Sequence, residues 1–151
     1  MRSVQTSTPA SALVVTTTHE LRTDGHDACV DITAAVQRAV EESRLVHGQA
    51  TVFVPGSTAG VTTVEFEEGV VGDLQQAVRR LIPEQLRYRH HETAGDDNGH
   101  AHVRAALLGP SLVVPVVHGR LALGTWQQII FVDFDTHPRS RTYLVQLLGA
   151  A

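Results

Sequence analysis

The feature that most constrains the fold is a succession of short strand candidates in the last third of the chain. Each is rich in aliphatic residues and is separated from the next by glycine, proline or polar residues. His118 and Gly119 stand where a tight hairpin turn is expected. Strands joined by such short connections pair antiparallel, so a largely antiparallel sheet is predicted. The candidates span residues 101–108, 112–117, 120–123, 125–134 and 141–148.

Two amphipathic helices are predicted upstream of these strands. The first begins near Asp31 and ends at Gly48, and the second covers residues 70–82 and is stopped by Pro83. In both, aliphatic residues recur at spacings of three and four, so one face of each helix is expected to be buried. The stripes are Ile32, Ala35, Val36, Ala39 and Val40 in the first helix and Val70, Val71, Leu74, Val78, Leu81 and Ile82 in the second.

Three further strands are predicted in the first half, at residues 12–17, 51–54 and 60–66. The order β-α-β-β-α followed by several strands is typical of an α+β fold with two helices and a large antiparallel component. The length of 151 residues suits one domain covering the whole chain. Residues 1–11, rich in serine, threonine and glutamine, are expected to form a loose lead-in.

Composition and charge exclude several classes of function. Contents of 42% hydrophobic and 19% charged residues are typical of a globular protein, and the apolar runs are far shorter than the roughly 20 residues of a membrane-spanning helix. A net charge of −4 without a basic cluster argues against a nucleic-acid partner. The chain has no lysine, which excludes a Walker-type phosphate loop. No secretory signal is visible, so a cytoplasmic location is expected.

The stretch 88–104 holds the densest group of metal-ligating side chains. Four of the nine histidines of the chain lie there, together with Glu92, Asp96 and Asp97. Neutral imidazole and carboxylate are the ligands that borderline divalent metals prefer, so this stretch is predicted to be the chemical centre. The four histidines are His90, His91, His100 and His102.

The spacing of these histidines suggests how they are used. His100 and His102 lie two residues apart in a strand candidate, so both are expected on one face, where they can hold one divalent ion. Arg104 continues that face and is suited to a phosphate or carboxylate group. Because His90 and His91 are adjacent, one is expected to ligate while the other faces solvent. The alternative is that the histidines only satisfy hydrogen bonds inside the sheet.

Loops supply the remaining candidates. Ser57 and Thr58 belong to a small, donor-rich segment whose backbone can approach a ligand closely. In the turn-rich loop before His100, Asp97 can orient an imidazole and Asn98 can join the site; the alternative is a plain polar loop. Trp126 is either core packing on a strand or a ring that lines a pocket for a planar heterocycle.

Seven segments spread along the chain form a recognisable pattern. They are DIT at 31–33, GSTAGVTTVE at 56–65, YRH at 88–90, DNGHAH at 97–102, LGPS at 108–111, GRLALGTWQQ at 119–128 and RSR at 139–141. On these segments the sequence resembles the YjbQ family, small proteins linked to a secondary thiamine-phosphate synthase activity. One position departs from the pattern, since many members carry a histidine where this chain has Gly56.

The resemblance implies a fold, an assembly and a reaction. The fold is α+β with β-sandwich-like sheets, the assembly is a homotrimer, and a divalent metal, zinc, lies near the matched histidines. The reaction joins a hydroxymethylpyrimidine diphosphate to a thiazole phosphate and releases pyrophosphate. The alternative function is a metal-bearing small-molecule binding protein, or an enzyme that acts on another phosphorylated metabolite.

The candidate residues are expected to have three kinds of role, and some residues have two of them. The expected catalytic residues are His90, Asp97, His102 and Arg104. The expected metal ligands are His90, His100 and His102, with Glu65 as a further candidate. The expected substrate-binding residues are Ser57, Thr58, Glu65, Asn98, Trp126, Arg139 and Arg141.

Overall fold

Eight strands and four helices make up the computed structural model, which describes residues 12–150. The lead-in predicted for residues 1–11 lies outside the described residues. Within 12–150, no helix is long and apolar enough to cross a membrane. In chain order the elements are β1 (Leu13–Thr23), β2 (Ala28–Asp31), α1 (Thr33–Ser43), β3 (His47–Phe53), β4 (Ala59–Val64), α2 (Glu68–Leu81), α3 (Arg89–Ala94), α4 (Gly99–Leu108), β5 (Ser111–Val117), β6 (Arg120–Leu121), β7 (Gln128–Asp133) and β8 (Arg139–Ala150).

The strands form two antiparallel sheets, as predicted for an α+β fold. The five-stranded sheet has the order β1-β8-β3-β5-β6, and the three-stranded sheet has the order β2-β7-β4. The predicted hairpin turn at His118 and Gly119 is confirmed, since it joins β5 to β6. Both residues have positive φ, 51° and 72°, as a two-residue turn of this kind requires.

Strand β7 is buried on both faces, which explains its continuous apolar run. Ile129 and Phe131 face a larger core shared with α1 and the five-stranded sheet. Ile130 and Val132 face a smaller core shared with α2 and α4. All four are at most 2% exposed. The two sheets therefore pack face to face as in a β-sandwich, and α2 and α4 cover the outer side of the three-stranded sheet.

Residues 101–108, predicted as a strand, lie in helix α4. The alternation of His100, His102 and Arg104 imitates the period of a strand. However, Ala101 and Ala105 repeat at the helical spacing of four and are buried against β7. Alanine, leucine and arginine are also strong helix formers. Helix α3 covers the start of the predicted polar loop, so residues 12–150 form four helices rather than the two predicted.

One helix boundary and one position of a buried stripe differ from the prediction. Arg44, in the left-handed conformation with φ 60°, ends α1, whereas Gly48 lies inside β3. A side chain at Gly48 would place its Cβ 2.1 Å from the carbonyl oxygen of Leu148, so strand pairing requires glycine there. Pro83 follows α2 as predicted, but Leu81 is 79% exposed and does not belong to the buried stripe.

Candidate functional site

His90 and His102 come together where α3 packs against α4. Their ring centroids lie 4.5 Å apart, edge to face, with 64° between the ring planes. The close packing depends on Gly99 at the start of α4, because a Cβ there would lie 2.5 Å from the Cβ of Tyr88. Of the four histidines predicted at the chemical centre, these two are in contact in the fold.

His91 and His100 do not join this pair. The backbone N–H of Gly99 donates to Nε2 of His91 at 3.1 Å, which satisfies one of the free donors at the start of α4. His100 points away from His102, because residues two apart in a helix differ by about 200° in direction. It is 2% exposed, and burial together with the charge of Arg104 lowers its pKa. The prediction that His100 and His102 share one face is wrong because the segment is helical.

His102 borders a small cavity between α4 and the loop that precedes β4, the His102 pocket. Its volume is about 200 Å³. Ligand pockets usually measure about 300–1,000 Å³, so this one has room for one ring or one phosphate group. Ser57 and His102 are the polar side chains in its lining. The lining residues are Gly56, Ser57, Ala59, His102, Ala105, Ala106 and Pro110.

A buried network of two acids and one arginine supports the loop that carries Ser57. Asp133 ends β7 and is 0% exposed, and Asp135 follows it at 2%. Arg141 of β8 donates to both oxygens of Asp133 at 2.6 Å and to Asp135 Oδ2 at 3.2 Å. Such a two-point pair is the strong form of a charge-assisted hydrogen bond. The hydroxyl of Thr58 donates to Asp135 at 3.1 Å, which ties the loop to this network.

Asp135 also connects the loop to the start of α4. It accepts from Nδ2 of Asn98 at 3.3 Å and from the N–H of Thr136 at 2.9 Å, and it pairs with Arg139 at 2.6 Å. Burial raises the pKa of Asp135, but the hydrogen bonds from Thr136, Asn98 and Thr58, with the charge of Arg139, lower it further, to about 2. The carboxylate therefore stays charged at neutral pH and holds the first turn of α4 against the loop.

Sequence reasoning missed Asp133 and Asp135. The available signal was the alternation of two acids with buried apolar residues at the end of β7, since a buried carboxylate needs a partner. Asp97, predicted to orient an imidazole, is exposed, and its carboxylate accepts from the hydroxyl of Thr136 at 3.0 Å. It therefore fastens the loop before α4 to the segment after β7.

The three arginines predicted at the site each pair with a carboxylate. Arg139 and Arg141 pair with the acids at the end of β7, and Arg104 pairs with Asp27 at 2.6 Å. Arg104 is 1% exposed and donates twice more to the carbonyl oxygen of Ile82, at 3.1 and 2.8 Å. It lies one helical turn from His100 and not beside His102, so the prediction that it continues the face of His102 is wrong.

Glu65 and Trp126 lie beyond the other end of β4 from Ser57. At about 3.3 Å per residue along β4, roughly 20 Å separates them from the His102 pocket. Trp126 is 72% exposed and lies in the turn before β7, so the core-packing interpretation of this ring is wrong. A single chain therefore does not bring Glu65 and Trp126 to the paired histidines.

The predicted three-histidine metal set does not converge on one ion in a single chain. Within residues 12–150, no group of three or more His, Cys, Asp or Glu side chains is placed to hold a metal. His90 and His102 offer two imidazoles, whereas catalytic zinc sites use about three protein ligands. A metal at this pair needs a further ligand from elsewhere.

Known proteins share both this sequence pattern and this fold. A family model described as UPF0047 protein YjbQ-like matches residues 17–150. A UPF0047 protein of Archaeoglobus fulgidus is 40% identical over 128 residues, which cover 85% of this chain and 97% of the relative. The UPF0047 protein YugU of Bacillus subtilis is 33% identical over 133 residues, covering 87% and 98%.

Solved structures agree with the sequence relatives. The crystal structure of a hypothetical protein from Aeropyrum pernix superposes with a TM-score of 0.84 at 36% identity, covering 89% of this chain and 98% of that one. A YbjQ-like protein from Sulfolobus solfataricus gives 0.82 at 32% identity, covering 91% and 99%. These names give a family and no reaction. On the matched length, identity and fold, the chain belongs to the YjbQ-like UPF0047 family.

Proposed function

We propose that the protein is an enzyme that acts on phosphorylated small molecules, with the His102 pocket and the adjacent His90 as its substrate site. The pairing of two imidazoles at 4.5 Å beside a cavity carries this proposal. The reaction proposed is the one implied by the family resemblance, a transfer like that of thiamine-phosphate synthase. The expected donors to a bound phosphate are the two imidazoles and the hydroxyl and backbone N–H groups around Ser57.

The proposed transfer joins a hydroxymethylpyrimidine diphosphate to a thiazole phosphate. The thiazole nitrogen uses its lone pair to form a C–N bond with the methylene carbon of the pyrimidine, while the C–O bond to the diphosphate breaks. Pyrophosphate leaves with the electron pair, and the thiazole nitrogen becomes positively charged without losing a proton. The chemical demand is therefore stabilisation of the leaving group, which donors from His90, His102 and Ser57 would meet.

A substrate with a single phosphate is a second candidate, because Arg139 and Arg141 are balanced by Asp135 and Asp133, and Arg104 lies on the opposite side of α4 from His102. Little net positive charge then comes from these arginines to hold a diphosphate.

An assay of the two thiamine precursors against a panel of phosphate monoesters, with and without chelator, separates the two functions. Product from the paired precursors supports the transferase, and turnover of monoesters alone supports the second candidate. Binding without turnover would support a binding protein.

A divalent ion, zinc, is proposed at His90 and His102, with a further ligand from outside the single chain. Elemental analysis of the purified protein should find about one ion per chain, and a His90→Ala, His102→Ala double variant should lose most of it. The matched control His47→Ala, at an exposed position in β3, should keep it. A folded double variant with the metal content of the parent would assign the ion to another site.

The assembly proposed is a homotrimer, because the expected site residues are divided between two ends of one chain. A neighbouring copy that packs against α4 can bring its own Glu65 and Trp126 to the His102 pocket. The same contact would cover Val103 and Leu107 on α4, which are 42% and 73% exposed. Light scattering should give three times the chain mass of 16.3 kDa. A stable mass of 16.3 kDa across dilution would contradict the trimer.

A further inference from the structure

The side of α4 opposite the His102 pocket borders a second cavity, the Arg104 cavity. Its volume is about 280 Å³. The lining contains two guanidinium groups, an imidazole, an amide and one carboxylate. These groups come from the turn before β2, the last turn of α2, the segment after it, and α4. The lining residues are His26, Arg79, Glu84, Gln85 and Arg104.

Asp27 fixes the two guanidinium groups beneath this cavity. It is 1% exposed and pairs with Arg104 through Oδ1 at 2.6 Å and with Arg79 through Oδ2 at 2.7 Å. One carboxylate between two arginines leaves one positive charge unbalanced. Glu84 meets that charge only loosely, with Oε1 3.5 Å from Nη1 of Arg104 and a side chain 36% exposed.

Next to Glu84, outside the cavity lining itself, His100 has an unsatisfied ring. Its side chain is 3% exposed, and within residues 12–150 neither ring nitrogen has a hydrogen-bond partner. Glu84 Oε1 lies 3.8 Å from Nε2 of His100, beyond hydrogen-bond distance. A polar ring buried without a partner is unfavourable. An oxygen atom placed slightly deeper than Glu84 Oε1 would bond both His100 and Arg104.

We propose that the Arg104 cavity binds a small oxyanion of the phosphate class, which displaces the carboxylate of Glu84. One oxygen of the anion bonds Arg104 and His100, and the others face Arg79 and Gln85. The volume of about 280 Å³ accommodates inorganic phosphate or the phosphate end of a monoester. The helix α4 separates this site from the His102 pocket, so the proposal does not rest on the proposed function.

Titration of the full chain with inorganic phosphate at constant ionic strength tests the proposal. The Nε–H group of Arg104 donates to the carbonyl oxygen of Ile82, and its NMR resonance reports on this cavity. Glu84→Ala removes the competing carboxylate and should tighten binding about threefold. Arg79→Gln should weaken it about tenfold, because a charged donor is lost while Asp27 keeps its pair with Arg104. The control Arg80→Gln, at the exposed neighbouring position on α2, should leave the affinity unchanged.

Three results would overturn the site. They are an Arg104 resonance that does not respond to phosphate, equal affinity in parent and Arg79→Gln, and no tightening in Glu84→Ala. Because Glu84 is partly exposed, its variant decides the matter even where Arg79→Gln weakens folding. Acetate in place of phosphate tests the class of anion, and tighter acetate binding would overturn the phosphate assignment. A His102→Gln variant should give the parent curve, which separates this cavity from the His102 pocket.

Discussion

Replacing Arg141 by methionine is expected to lower the free energy of unfolding by about 3–5 kcal/mol. The guanidinium donates to Asp133 at two points and also reaches Asp135. Without it, Asp133, which is 0% exposed, loses the cation that balances it, and Asp135, 2% exposed, keeps its pair with Arg139. Denaturant unfolding of parent and variant at pH 7 measures the difference.

Arg139→Met is the matched control, because Arg139 also pairs with Asp135 but its side chain is 46% exposed. Its loss should cost at most about 1 kcal/mol. Equal costs at the two positions would show that burial of the pair is not what stabilises the fold.

Low pH tests how much the charged carboxylate of Asp135 contributes to stability. The pKa of Asp135 is about 2 in the folded protein, below its ordinary 3.8. A carboxyl group with a lowered pKa stabilises the fold above its ordinary pKa, and this contribution is lost as the pH falls through the folded pKa. The free energy of unfolding of the parent should therefore fall between about pH 4 and pH 2, as Asp135 is protonated, and denaturant unfolding across this range measures it.

The second large effect is expected at His102. In the proposed transfer, replacing it by glutamine should slow pyrophosphate release by about 10²–10³-fold, because one positioned donor to a developing charge is worth that much. The loss should fall on kcat more than on KM, since the donor acts on charge that appears in the transition state. Single-turnover mixing with both precursors measures it. His47→Gln, at an exposed strand position, is the control, and an unchanged rate in His102→Gln would remove His102 from the reaction.

The sheets were predictable because their signals are local. The aliphatic runs of β5 and β7 and the turn at His118 and Gly119 depend on neighbouring residues, so the sequence alone indicates them. Helix α4 was not predictable in this way, because its histidines and arginine alternate while its buried stripe consists of small alanines. Because the segment was predicted with the two-residue period of a strand, His100 and Arg104 were expected beside His102, whereas they lie on the opposite side of α4.

The network around Asp135 was not predictable, because its partners are distant in the sequence. Thr58 and Asp135 are 77 residues apart, and so are Arg104 and Asp27. Acids and arginines occur along the whole chain, so no local pattern tells which of them will pair. The role of His90 beside His102 was suggested by the family resemblance, and the packing of α3 on α4 at Gly99 provides the physical reason for their proximity.

The most direct test of the proposed function is pyrophosphate release from hydroxymethylpyrimidine diphosphate by the purified parent, with and without thiazole phosphate. The proposal predicts release that requires both substrates and that equals the thiamine phosphate formed, mole for mole. Release at the same rate without thiazole phosphate, or no release with both present, would contradict it.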